Sequence, residues 1–184
     1  MTSAAPERHR FTVEEYHRMA ETGLLGEDDR VELVEGEIID MAPIGSRHNA
    51  CVARLNELFV TRLAGRATVF VQSSVRMSEL SEPEPDIAVL VPRPDFYAGA
   101  LPGPAAVLLV VEVADTTAGW DRGVKIPMYG RAGVAEAWVV DLSAEVIDIW
   151  AQPGHEGYAV TARTARGGEL HVEGITVTVD EILG

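Results

Sequence analysis

The chain has 184 residues, long enough for a sizeable core, and is expected to fold as a single domain spanning 1-184. Hydrophobic residues make up 47% and charged residues 24%, an ordinary globular balance, and no apolar run reaches the roughly 18 residues of a membrane span. The formal net charge of −14 argues against a protein that grips long duplex nucleic acid on a broad basic face, although a local cleft and divalent cations offset such a field within about 8 Å at physiological salt.

Met1 to Arg10 contains no apolar stretch and reads as no signal peptide. Thr12-Val13-Glu14-Glu15 is a capping box, with Phe11 and Tyr16 placed as a hydrophobic staple, so a short helix should run to Ala20 and stop near Gly23. Arg30 to Glu35 and Glu37 to Met41 read as a hairpin around Gly36. Ser46 reads as the cap of a longer helix with apolar residues at Cys51, Val52, Leu55, Leu58, Phe59 and Leu63, ended by Gly65. The lone Cys51 has no internal disulfide partner and reads as a small buried hydrophobe, which suggests a reducing cytoplasm.

The period then changes from helical to strand-like. Val69, Val71, Ser73, Val75 and Met77 alternate with other residues, and Glu79, Glu82 and Glu84 mark a turn. Ile87 to Val91 is a predicted strand. Val107 to Val113 is another, apolar on both faces and therefore central in its sheet. Between them Pro92 to Pro104 is a loop. A helix is predicted over Asp121 to Arg131, ended by Gly133. Pro127 fits only a first helical turn and so delays the regular part to Ile126. Ala137 to Asp141 and Val146 to Ala151 are strands; Tyr158 to Arg163 and Ile175 to Val179 are more peripheral ones. The order makes a mixed α/β sheet.

Three polar groups interrupt this pattern in a chemically suggestive way. Asp86 opens one strand, Glu112 lies near the end of another, and Lys125, the only lysine, sits at the next helix. If the two strands pair antiparallel, their carboxylates converge at one sheet edge. Two like charges there require a cation, and Mg²⁺ takes one or two protein carboxylates and keeps its other positions for water and phosphate oxygens. Lys125 would then hold or help deprotonate a metal-bound water, or neutralise charge on phosphorus. Simpler readings exist for each residue. Pro85-Asp86 is common loop chemistry, and Lys125 has Asp121 as an i, i+4 partner on a solvated helix face.

The stretches Arg30 to Ile38, Pro85 to Val89, Val111-Glu112-Val113, Asp121 to Lys125, Tyr129, Gly133-Val134 and Ala137 to Asp141 resemble, in order, the Uma-two family of restriction-endonuclease-like proteins within the PD-(D/E)XK nuclease superfamily. The resemblance covers most of a core at about 30-151. It implies a restriction-endonuclease-like mixed β-sheet flanked by helices, with an N-terminal helix and hairpin and extra C-terminal strands. It further implies Mg²⁺, with Mn²⁺ as substitute, held by Asp86 and Glu112; a DNA substrate cut to leave a 5′ phosphate; and a homodimer. The superfamily's usual lysine position is Ala114 here, and Lys125 takes its place on the following helix. Asp115 adds negative charge beside the site. Glu32 in the hairpin is the candidate fourth polar group, or else an ordinary strand-face glutamate. His48 reads as exposed near its helix cap rather than facing the cleft, and Trp138 and Trp150 as core. Arg47, Arg54, Arg76, Arg122 and Arg131 read as either a phosphate-binding rim or solvated side chains. Two functions compete: a Mg²⁺-dependent endonuclease, and a catalytically silent nucleic-acid-binding or regulatory domain that keeps the fold.

Overall fold

The computed structural model describes residues 8–26 and 28–184, so most of the N-terminal segment read as lacking a leader lies outside the described residues. Helix α1 (Val13–Glu21) starts as its capping box predicts. The Thr12 hydroxyl accepts from the Glu15 backbone N–H, and the Glu15 carboxylate accepts from the Thr12 N–H. Strands β1 (Val31–Val34) and β2 (Glu37–Asp40) form the expected antiparallel hairpin. Its turn, Glu35-Gly36, has φ of 50° and 80°, the left-handed pair that matches the twist of a tight hairpin.

Helix α2 (Ser46–Arg62) buries Cys51, Val52, Leu55 and Phe59. Its N-cap is Gly45 in extended conformation, one residue before the serine expected there, and no side chain caps it. Strand β3 (Thr68–Val71) is shorter than the alternation through Met77 predicts. Gln72, at φ 44°, turns the chain out of the sheet. The alternation persists in a separate excursion, in which Val75 and Met77 donate to the carbonyls of Pro83 and Ser81. This excursion leans on the hairpin, where Leu33 and Glu82 exchange backbone hydrogen bonds. β1 is thereby held beside the segment that leads into Asp86.

The main sheet has six strands in the order β3-β4-β5-β6-β7-β8, with β4 (Ile87–Leu90), β5 (Val107–Ala114), β6 (Glu136–Asp141), β7 (Val146–Gly154) and β8 (Gly157–Ala165). All neighbours are antiparallel except β5 and β6, which run parallel. Parallel neighbours need a crossover. It consists of α3 (Ala118–Trp120), a π-helical turn (Asp121–Lys125) and α4 (Ile126–Ala132). The Ile126 N–H donates to the Asp121 carbonyl, five residues back. Pro127 supplies a reason: it has no N–H, and in a regular helix its ring would crowd the carbonyl of Gly123. The widened turn removes that conflict.

Alternation along β5 divides the core. Leu109, Val111 and Val113 pack with Leu55 and Phe59 of α2, while Val110 and Ala114 pack with Ile126 and Tyr129 of α4. β9 (Glu169–Val172), β10 (Ile175–Thr178) and α5 (Val179–Leu183) extend the α2 side. On the other side α4 presses on the start of β8, where a Cβ added to Gly130 would lie 2.6 Å from the carbonyl carbon of Gly157.

Candidate active site

The β4–β5 register pairs Ile87 with Val111, so Asp86 lies beside Glu112 at one end of the sheet. Asp86 is held by three donors. His48 Nε2 lies 3.0 Å and the Val113 backbone nitrogen 2.8 Å from its Oδ2, and Gln72 Nε2 lies 3.1 Å from its Oδ1. A carboxylate offers about four lone-pair sites, so this clamp fixes the group and leaves room for another ligand. The His48 side chain is 14% exposed and contacts Asp86, which corrects the expectation of a solvent-exposed residue near the cap.

Glu112 belongs to the α4 face of β5, with Val110 and Ala114. Its Oε1 accepts from Lys125 Nζ at 2.8 Å and from the Tyr129 hydroxyl at 2.7 Å. Lys125 also lies 3.0 Å from Glu32 Oε2, which in turn accepts from the Glu84 backbone N–H at 3.0 Å. The side chains of Lys125, Glu112 and Glu32 are only 5–6% exposed. Lys125 is therefore not the solvated partner of Asp121. Asp121 is buried as well and accepts from Thr117 at 2.9 Å. The structure brings all four sequence-predicted residues, Asp86, Glu112, Lys125 and Glu32, to one cleft of about 400 Å³.

Electrostatics follow from that crowding. Burial is the largest influence on Glu112 and, with Asp121, Asp86 and Glu32 nearby, it outweighs Lys125 and raises the carboxyl to about 8. Burial pushes Lys125 the opposite way, but contact with Glu112 and Glu32 overcomes it and holds the amine above its ordinary range, as an ammonium. Burial also raises Asp121. The cluster thus sets Glu112, Glu32 and Asp121 around a single ammonium.

Each of the five arginines read as a rim candidate already has a partner. Arg47 binds the Leu142 carbonyl and Asp115, Arg54 the Leu183 carbonyl, Arg76 Glu14, Arg122 Asp141 and Asp148, and Arg131 Glu35.

The model of the Uma2 family, described as "Putative restriction endonuclease", matches residues 13–180. This chain belongs to the Uma2 family. No curated protein matches it. Among solved structures it is similar to a "putative nuclease belonging to DUF820" from Anabaena variabilis ATCC 29413, at 15% identity and TM-score 0.73, covering 94% of this chain and 97% of the other. At that identity the likeness speaks for the fold, which is the mixed sheet flanked by helices expected from the sequence.

In this Uma2 chain, no three His, Cys, Asp or Glu residues converge on a metal-ligating position among the described residues. Two hard carboxylates at the floor of an open cleft instead suit an ion that keeps most of its water shell, as Mg²⁺ does. Glu112 Oε2 accepts no hydrogen bond among the described residues and Asp86 retains acceptor capacity, so each has an oxygen to offer such an ion. Sequence reasoning assigned no role to Tyr129 or Gln72. Tyr129 had a legible signal, being four residues after Lys125 and so on the same helix face. Gln72 had none, because its position depends on a left-handed backbone.

Proposed function

We propose that this Uma2 protein is a Mg²⁺-dependent endonuclease that hydrolyses DNA phosphodiester bonds, with Mn²⁺ as a working substitute. The observation that carries this reading is a lone lysine buried between Glu112 and Glu32, at a sheet edge that also holds Asp86. Asp86 and Glu112 are the metal ligands in this proposal. A divalent ion held there would polarise a phosphoryl oxygen and acidify a bound water. Lys125, kept charged by its two carboxylate neighbours, contributes electrostatic stabilisation of the phosphorane rather than acting as the base. Glu32 orients the ammonium, Tyr129 orients Glu112, and His48 with Gln72 orients Asp86. A cytoplasmic setting and a homodimer belong to the same reading; sedimentation velocity tests the dimer.

The deciding experiment is nicking of supercoiled plasmid with Mg²⁺ or Mn²⁺ by wild type, Asp86→Asn and Lys125→Ala. Metal-dependent nicking by wild type alone is the expected result. Equal inactivity of all three across metals and pH overturns it, and leaves the silent nucleic-acid-binding or regulatory domain.

A further inference from the structure

The cleft is not lined by charged groups alone. Met41, Pro43 and Ile44, from the segment between β2 and α2, line the cleft together with Trp120, the residue just before the π turn that carries Asp121 and Lys125. Trp120 is 38% exposed, whereas Trp138 is fully buried and Trp150 half-buried. It belongs to neither core cluster and stacks on no other ring among the described residues. An exposed indole in a cleft that also presents three apolar side chains is a surface that water solvates poorly and that a flat ring covers well.

Charge narrows the choice of ring. The residues lining the cleft include seven carboxylates, Asp40, Glu84 and Asp115 among them, against two basic groups, Arg30 and the buried Lys125. Beyond the cleft, nine arginines are paired with carboxylates. Proteins that follow a duplex neutralise roughly 6–10 of its phosphates with free Lys and Arg. Among the residues that line this cleft, only Arg30 and Lys125 are Lys or Arg. Stacking on an aromatic face needs no positive field, and every base has a π-face to offer.

We propose that Trp120 with Met41, Pro43 and Ile44 forms a subsite for an unstacked nucleobase, and that the substrate is a single-stranded or locally unpaired nucleic acid strand rather than intact duplex. The proposal rests on the nuclease reading of the cleft floor and deepens it. A base seated at the mouth hands its phosphodiester to Asp86, Glu112 and Lys125 below, and the rest of the strand need not be gripped.

The test is fluorescence anisotropy of the full chain with a labelled single-stranded oligothymidylate and with a labelled duplex, in Ca²⁺ so that binding is read without hydrolysis. Single strand should bind at least about tenfold more tightly than duplex. Trp120→Ala should weaken that binding by about five- to a hundredfold, while Trp120→Phe retains most of it. Quenching of tryptophan emission by the oligonucleotide should disappear in Trp120→Phe. Duplex binding as tight as single-strand binding, no binding to either, or an unchanged Trp120→Ala overturns the proposal. Failure here is separable from failure of the nuclease reading. Trp120-dependent single-strand binding without hydrolysis in any metal removes the enzyme and keeps the subsite. Duplex cleavage indifferent to Trp120 does the reverse.

Discussion

Replacing Lys125 with methionine keeps the volume of the side chain and removes its charge. In the structure Nζ lies 2.8 Å from Glu112 and 3.0 Å from Glu32, all three nearly sealed from solvent. Removing one partner of such a buried arrangement costs about 3–5 kcal/mol, because the charge left behind has no substitute for water. For a chain of this size that is a fall in Tm of about 6–20 °C. The cost must also depend on pH. Glu112 titrates at about 8 in the fold against an ordinary value of 4.5, so the folded state keeps a proton that the unfolded chain releases. Its contribution to wild-type stability is therefore fully present below about 4.5 and lost as pH rises through about 8. Without the ammonium, ionising Glu112 is harder still, and the deficit of Lys125→Met should widen from about pH 6 to about pH 9. Urea unfolding in EDTA, followed by emission of the buried Trp138, measures this. A variant as stable as wild type at about pH 9, or a deficit that does not change with pH, would refute the claim that Lys125 neutralises these two acids.

Four further outcomes follow from the same geometry. Tyr129→Phe removes a 2.7 Å hydrogen bond to Glu112 and should cost about 1–2 kcal/mol in urea unfolding, whereas an unchanged midpoint would mean that the hydroxyl does not support the carboxylate. His48→Ala frees one side of Asp86 and should weaken Mn²⁺ binding by about 10- to 100-fold in calorimetry. The hydrogen bond to Asp86 raises the His48 pKa above 6.5, so its stabilising effect is present below that value and fades as pH rises through the folded pKa; Asp86→Asn should flatten this slope. Finally, Mg²⁺ at about 100 times its Kd should stabilise wild type by about 2.7 kcal/mol in thermal unfolding and leave Asp86→Asn unmoved.

The main lines of this architecture were legible because they rest on short-range chemistry. The capping box at Thr12, the turn at Gly36 and the doubly apolar β5 each express a local rule that packing did not override. Convergence of Asp86 and Glu112 was legible too, since an antiparallel pairing of β4 and β5 is enough to bring their opposite ends together. What was hidden required backbone states that composition does not encode. Gln72 leaves the strand at φ 44°, and this both shortens β3 and delivers its amide to Asp86. The π turn makes the i, i+4 reading of Asp121 and Lys125 fail: with one extra residue in the turn, the lysine swings toward Glu112 and Glu32. His48 was read as exposed because a residue in a helix's first turn is usually wet. Its burial depends on how α2 crosses the β4 end of the sheet, a long-range fact.

The contact between Gly130 and Gly157 ties the edge of the molecule that carries Glu112 to its far strands. Helix α4 carries Tyr129 and follows directly on Lys125, and its distance from the sheet is set where its backbone meets the β7–β8 turn. A single methyl at position 130 would find the Gly157 backbone, which cannot swing aside as a side chain does, so the helix itself must lift. Lifting it draws the Tyr129 hydroxyl and the ammonium away from Glu112 together. Residue 130 touches none of the acids, yet it acts as the shim that sets their spacing from the helix.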